Sequence, residues 1–315
     1  MDVQNRSDLV VPDFARAGGA LSPEAVAALV RHPRFADAMR AVLVANVGLY
    51  KGNRILNYVG YDRGRLVMSI LAFYLHILHR PEDPTSGLTA QRLKSLCVEQ
   101  DVCSPGRARA MLSLLRLFGY VVPAPGSDRR FKRLAPTELL VSFLQQRWGG
   151  LFAAMALVSP AGEAARAALN RNDFLSAFVQ RVVDHYRTGL RALWFAPELT
   201  PFAERNAGLV ILFSLAVAGA ADDTMPPARP VRISLSELAR RFSVSRAHVL
   251  RLLRVAKAQG LIERSDDETV MFLPPLSRAL LNSVAIMFLF FAHCAREALA
   301  EIGAATGVES PSIAG

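Results

Sequence analysis

The sequence predicts a mainly α-helical chain built as two tandem copies of one unit, each with a small β-hairpin. Three observations carry this expectation. Residues 104–121 (SPGRARAMLSLLRLFGYV) and 245–262 (SRAHVLRLLRVAKAQGLI) share one pattern: a serine, a basic Leu-rich helix, a glycine and an apolar pair. The likeness extends outward from these stretches. Ser22-Pro23 pairs with Ser159-Pro160, Phe35 with Phe174, VMSILAFYLHIL (67–78) with GLVILFSLAVAG (208–219), and Pro136 with Pro274-Pro275, at offsets of 137 to 141 residues. A repeat this long is a whole folding unit, not a solenoid brick. Finally, 52% of the 315 residues are hydrophobic, which calls for extensive buried helix surface and leaves room for two cores. The expected divisions are a tail at 1–21, units at 22–158 and 159–302, and a tail at 303–315.

Each unit opens on Ser-Pro, a helix N-cap followed by proline in the first turn. A second helix begins at Phe35 or Phe174, and an apolar helix follows. In the second unit, a short helix (about 235–242), the turn Ser243-Val244-Ser245 and a longer helix (246–259) come next. Leu238, Ala239, Phe242, Val244, Val249 and Leu252 sit where two crossing helices must touch, and Ser245 caps the second helix. This is the helix-turn-helix pattern. Gly260 stops the helix, and LIERSDDETVMFL (261–273) reads as two short strands around a polar tip, a wing.

The first unit repeats the pair over 88–118. Leu93 and Cys97 match Leu238 and Phe242, and four extra residues are expected to lengthen the turn through VEQDVC. Ser104-Pro105 restarts the helix, Gly119 ends it, and YVVPAPGSDRRFKRL (about 120–135) supplies a hairpin with Pro-Gly-Ser-Asp at its tip. Long apolar helices from Pro136 and Pro274 close the two units.

On these residues the chain resembles the MarR-like winged-helix transcription regulators. Asp128 and Arg130 fit the family's Asp-x-Arg at the wing, and Thr137 fits the threonine that ends the following strand. The likeness is close over each helix-turn-helix and wing and holds in outline for the flanking helices. It implies two tandem winged helix-turn-helix units arranged as an intramolecular pseudo-dimer, a cytoplasmic setting, and double-stranded DNA as partner. Family members are single-unit homodimers. It therefore stays open whether one chain replaces a dimer or forms a homodimer through its long apolar helices.

A formal net charge of +10 fits a polyanionic partner without naming it. On helix 246–259, Val249, Leu252, Leu253 and Ala256 share the inward face. Ala247, Arg251 and Arg254 lie opposite, flanked by Arg246, His248 and Lys257. Arginines so placed make bidentate bonds to guanine edges or meet phosphates. The matching face of the first unit is flat, with Gly106, Ala110 and Ser113 between Arg107, Arg109 and Arg116. Its wing carries Arg129, Arg130, Lys132 and Arg133, whereas the second wing carries Asp266, Asp267 and Glu268, which phosphate repels. All of those basic residues, with His248 and Ser245, are the expected DNA contacts. One half is armed on its helix, the other on its wing.

A plasmid-type replication initiator also pairs winged helices, and a protein-interaction module could reuse their surfaces. No Gly-rich phosphate loop, nucleophile elbow or Cys/His metal cluster is evident, so neither an enzyme nor a cofactor is expected. The six histidines look scattered; His76 and His79, at i and i+3, lack an acidic partner. Cys97, Cys103 and Cys294 read as buried thiols of a reducing compartment. The N-terminus shows no signal peptide, and the apolar run 279–295 falls short of a membrane span of ~20 residues, so no membrane partner is expected. Tyr50, Tyr58, Tyr61, Phe73, Tyr74, Trp148 and Trp194 could line a pocket for a small-molecule effector, but they read first as core, and no ligand is predicted.

Overall fold

The computed structural model describes residues 21–49, 63–83, 85–125, 132–190, 196–265 and 268–307. The fold is mainly helical with two small antiparallel sheets. Helices α1 (Pro23–Val30), α2 (Phe35–Gly48) and α3 (Arg63–Ile77) lead into the pair α4 (Ala90–Glu99) and α5 (Pro105–Leu117). The hairpin β1 (Val121–Pro123) and β2 (Leu134–Pro136) follows, then α6 (Glu138–Met155). The order recurs as α7 (Pro160–Ala168), α8 (Asn172–Arg187), a 3-10 turn (Pro197–Leu199), α9 (Thr200–Ala203) and α10 (Gly208–Val217). The chain then enters β3 (Val231–Arg232), the pair α11 (Leu235–Arg241) and α12 (Arg246–Ala258), β4 (Ile262–Arg264), β5 (Thr269–Phe272) and the long α13 (Pro274–Gly307).

The caps form as the sequence dictates. Ser22, Ser104, Ser159 and Ser245 each turn a side-chain oxygen onto a backbone N–H of the first helical turn. The two longer helices of the pairs also end alike. Gly119 and Gly260 adopt φ of 72° and 67°, and the next residue donates back five positions, Tyr120 to Leu115 and Leu261 to Ala256.

Packing between the halves is reciprocal. Within its own half α2 lies on α6, as α8 lies on α13. Across the halves α1 lies on α13 while α7 lies on α6, and α2 meets α10 while α8 meets α3. One continuous core results. At its centre Trp148 and Phe152 of the first half meet Phe178 of the second edge-on at 5.1 and 5.2 Å, and Phe174 stacks on Phe178 at 5.7 Å. A polar tie also crosses: Tyr74 donates to Asp184 and accepts from Arg187, both at 3.0 Å. Phe73, Tyr74 and Trp148 are therefore core residues, while Tyr50, Tyr58, Tyr61 and Trp194 lie outside the described residues.

Four expectations need correction. The four extra residues of the first helix pair do not all lengthen its turn. Three extend α4 by nearly one helical turn over α11, and a single one enlarges the turn. The second sheet has three strands, in the order β3-β5-β4, because Val231 and Arg232 pair with Val270 and Thr269. At the matching place in the first half the described residues show one backbone bond, from the Leu134 N–H to the Leu88 carbonyl. The C-terminal helix continues past the expected boundary at 302 to Gly307, and Leu21, expected to end a tail, is fully buried. Finally, α13 exceeds the expected apolar run. It is long and apolar enough, by length and composition, to cross a membrane. In this fold it packs along α8, α1 and α7.

Candidate nucleic-acid interface

The second helix pair is built from the inside outward. Val249, Leu252, Leu253 and Ala256 have no solvent exposure, which fixes the rotation of α12 about its axis. Arg246, Arg251 and Arg254 must then face outward, and all three are exposed with no hydrogen-bond or ion-pair partner among the described residues. The turn before α12 places Ser243 in the left-handed region at φ 52°, and Val244 donates to the Ala239 carbonyl at 3.0 Å. The first pair uses the same device at Asp101, φ 51°, with Val102 bonded to the Cys97 carbonyl at 2.8 Å.

Three expected contacts on this helix are partly committed elsewhere. Ser245 uses one of its two oxygen lone pairs on capping, accepting from the His248 backbone N–H at 3.0 Å, which leaves the hydroxyl hydrogen and the second lone pair. His248 is half-buried, and its Nε2–H donates to the Asn206 carbonyl at 2.9 Å; it braces α12 against the α9–α10 turn and is not a free base reader. Lys257 is exposed, but its ammonium donates to the Arg264 carbonyl at 3.2 Å, which ties the helix to β4.

On α5, Arg107, Arg109 and Arg116 are all exposed, beside Gly106, Ala110 and Ser113. Arg109 and Arg116 share one side. Arg107 faces the other and borders a polar cavity of about 400 Å³ with Asp101, Tyr186, Glu204, Arg205 and Asn206. The starts of α5 and α12 therefore both border the Arg205–Asn206 turn.

In the first hairpin Arg129, Arg130 and Asp128 lie outside the described residues, as do Asp266 and Asp267 of the second. Lys132 is exposed at φ 43°. Arg133 departs from expectation: it is half-buried and donates to His79 Nε2. Because arginine only donates, that bond assigns the His79 proton to Nδ1, which donates to Ser86 Oγ at 3.0 Å. Both ring nitrogens of His79 are thus used, so it is not half of a metal pair with His76. Thr137 locks the hairpin base, its hydroxyl donating to the Gly119 carbonyl at 2.7 Å.

Burial, with Cys103 adjacent, pushes the Cys97 thiol up to about 12, so it is no nucleophile near neutral pH. Burial likewise drives Cys294 well above its ordinary value. The histidines are not all scattered. His185 of α8 and His293 of α13 converge on Glu297, a meeting that the i, i+4 spacing of His293 and Glu297 half announces. No family model, curated protein or solved structure matches this chain.

Proposed function

We propose that this protein is a cytoplasmic, sequence-specific DNA-binding transcription regulator. Its two helix pairs with their hairpins serve as non-identical winged-helix modules, held as an intramolecular pseudo-dimer on one asymmetric or pseudo-palindromic site. One observation carries the reading: Arg246, Arg251 and Arg254 project from α12 without a partner among the described residues, and the opposite face of the helix is anchored in the core. A guanidinium in that position is ready for guanine edges or phosphates without first breaking an internal bond. The net charge of +10 supplies the long-range attraction. Reciprocal packing between the halves supports the pseudo-dimer, and the differing outward faces of α5 and α12 favour an asymmetric target.

The test is a mobility shift on genomic fragments over a range of salt. Specific complexes are expected at low salt and should weaken steeply as salt rises. Arg251→Ala should lower affinity for the selected site by about 5- to 150-fold, the equivalent of ~1–3 kcal/mol for one bidentate contact. Arg130→Ala should weaken binding as well, and Asp267→Ala should leave it unchanged. Equal affinity for all fragments, or none at low salt, would sink the proposal. The bound sequences also separate a promoter operator from the iterated repeats that a replication initiator would select.

A further inference from the structure

We propose that His185, His293 and Glu297 form a site for a divalent transition metal of zinc-like preference, joining α8 to the C-terminal part of α13. The His185 Nε2 lies 3.0 Å from Glu297 Oε2, and the His293 Nε2 lies 3.5 Å from Glu297 Oε1. All three donor atoms fall within 4.8 Å of one another. Metal–ligand bonds of about 2.0–2.2 Å in a tetrahedron set donor atoms about 3.3–3.6 Å apart, so the 3.0 Å pair must open slightly and any separation near the 4.8 Å limit must close, by small side-chain rotations. Two imidazoles and one carboxylate make a three-protein-ligand set that leaves a fourth position to water or a small ligand.

The surroundings suit entry of an ion. Side-chain exposures of 17% for His185, 20% for His293 and 35% for Glu297 describe a half-sheltered site with an open mouth. Phe290 packs edge-on against His185 and limits its ring orientation. Arg181 of α8 pairs with Glu301 at 2.6 Å, which offsets the charge of that arginine. Paired through Pro136 and Pro274, His293 corresponds to Met155, the last residue of α6, so Glu297 lies beyond the end of the matching helix and the first half offers no such trio.

The competing account is a plain ion-pair trio, in which Glu297 serves only protons on the two rings. Untagged full-length protein, stripped with a chelator, is titrated with Co²⁺ and then with Zn²⁺ in competition. One equivalent of Co²⁺ should give visible ligand-field absorption that Zn²⁺ abolishes. Glu297→Gln and His293→Ala should each weaken binding by about 100-fold or more, while His32→Ala should not change it. Absence of stoichiometric binding, or binding unaltered by a combined His185→Ala and His293→Ala substitution, overturns the site. A measurement on the unmodified chain guards against variants that fail to fold. Zn²⁺ should protect His185 and His293 from acylation by diethyl pyrocarbonate, and equal modification with and without Zn²⁺ also overturns it. The outcome is independent of whether the protein binds DNA.

Discussion

Placing one methyl group at Gly162 would test how the two halves lock together. Gly162 lies in the first turn of α7, where that helix crosses the end of α6. A Cβ there would sit 2.3 Å from the Ala156 nitrogen and 2.5 Å from the Met155 carbonyl carbon. Ordinary contact begins near 3.4 Å, so the helices must separate by about 1 Å, and the obstruction is backbone that cannot rotate aside. Such overpacking costs about 3 kcal/mol, at the upper end of its range. Alanine returns about 1 kcal/mol through its better helix propensity. The Gly162→Ala variant should therefore lose about 2 kcal/mol. With a urea m-value of about 3 kcal/mol/M, the midpoint followed by far-ultraviolet circular dichroism falls by ~0.7 M. Gly303→Ala is the control, since nothing lies within 4 Å of its Cβ position and only the propensity gain should remain. A midpoint for Gly162→Ala at or above that of the parent would refute backbone-to-backbone crossing of α6 and α7.

Two further outcomes follow from titration and thiol chemistry. Burial, with His79 and Arg133 nearby, holds His76 below its ordinary pKa of 6.5. The unfolded chain then takes up that proton first, so this contribution is complete above pH 6.5 and is lost as pH falls below it. His76→Leu should flatten the decline of the urea midpoint across that window; an unchanged decline would remove His76 as its source. In thiol labelling of the native protein at mildly alkaline pH, Cys103 should react while Cys97 and Cys294 wait for unfolding. Labelling of Cys97 at the rate of Cys103 would contradict its burial.

What a sequence makes legible is what local chemistry decides. The serine caps, the glycines after α5 and α12, and the inward face of α12 are readable because each depends on residues within a turn or two. The rotation of α12 follows at once, and with it the outward placement of Arg251 and Arg254. Long-range choices were not readable. Nothing in PEAVAALV states that α1 lies on the helix ending the chain, since an apolar stripe fits any complementary groove. The strand at Val231–Arg232 escaped because two residues carry no period. The fate of the extra residues in the first pair depended on whether Leu96–Glu99 would continue the helix, which burial of Leu96 and Cys97 decides. Arg133 and His248 read as open to DNA because residue type says nothing about a partner 54 or 42 positions away. His185 and His293 were separated by more than a hundred residues and met only through the packing of α8 on α13.

The reciprocal seating of α1 on α13 and of α7 on α6 has a consequence for how such a surface evolves. Two identical subunits meeting in this way would express every substitution twice, and an outward change useful to one partner would burden the other. Covalent linkage removes that constraint. Within one chain the buried contacts hold the halves together, whereas the exposed residues Gly106, Ala110 and Ser113 on one helix and Ala247, Arg251 and Arg254 on the other can differ without touching that core. It also means that neither half is a removable module: cutting the chain between Val158 and Ser159 would leave each fragment with its main apolar groove bare to solvent.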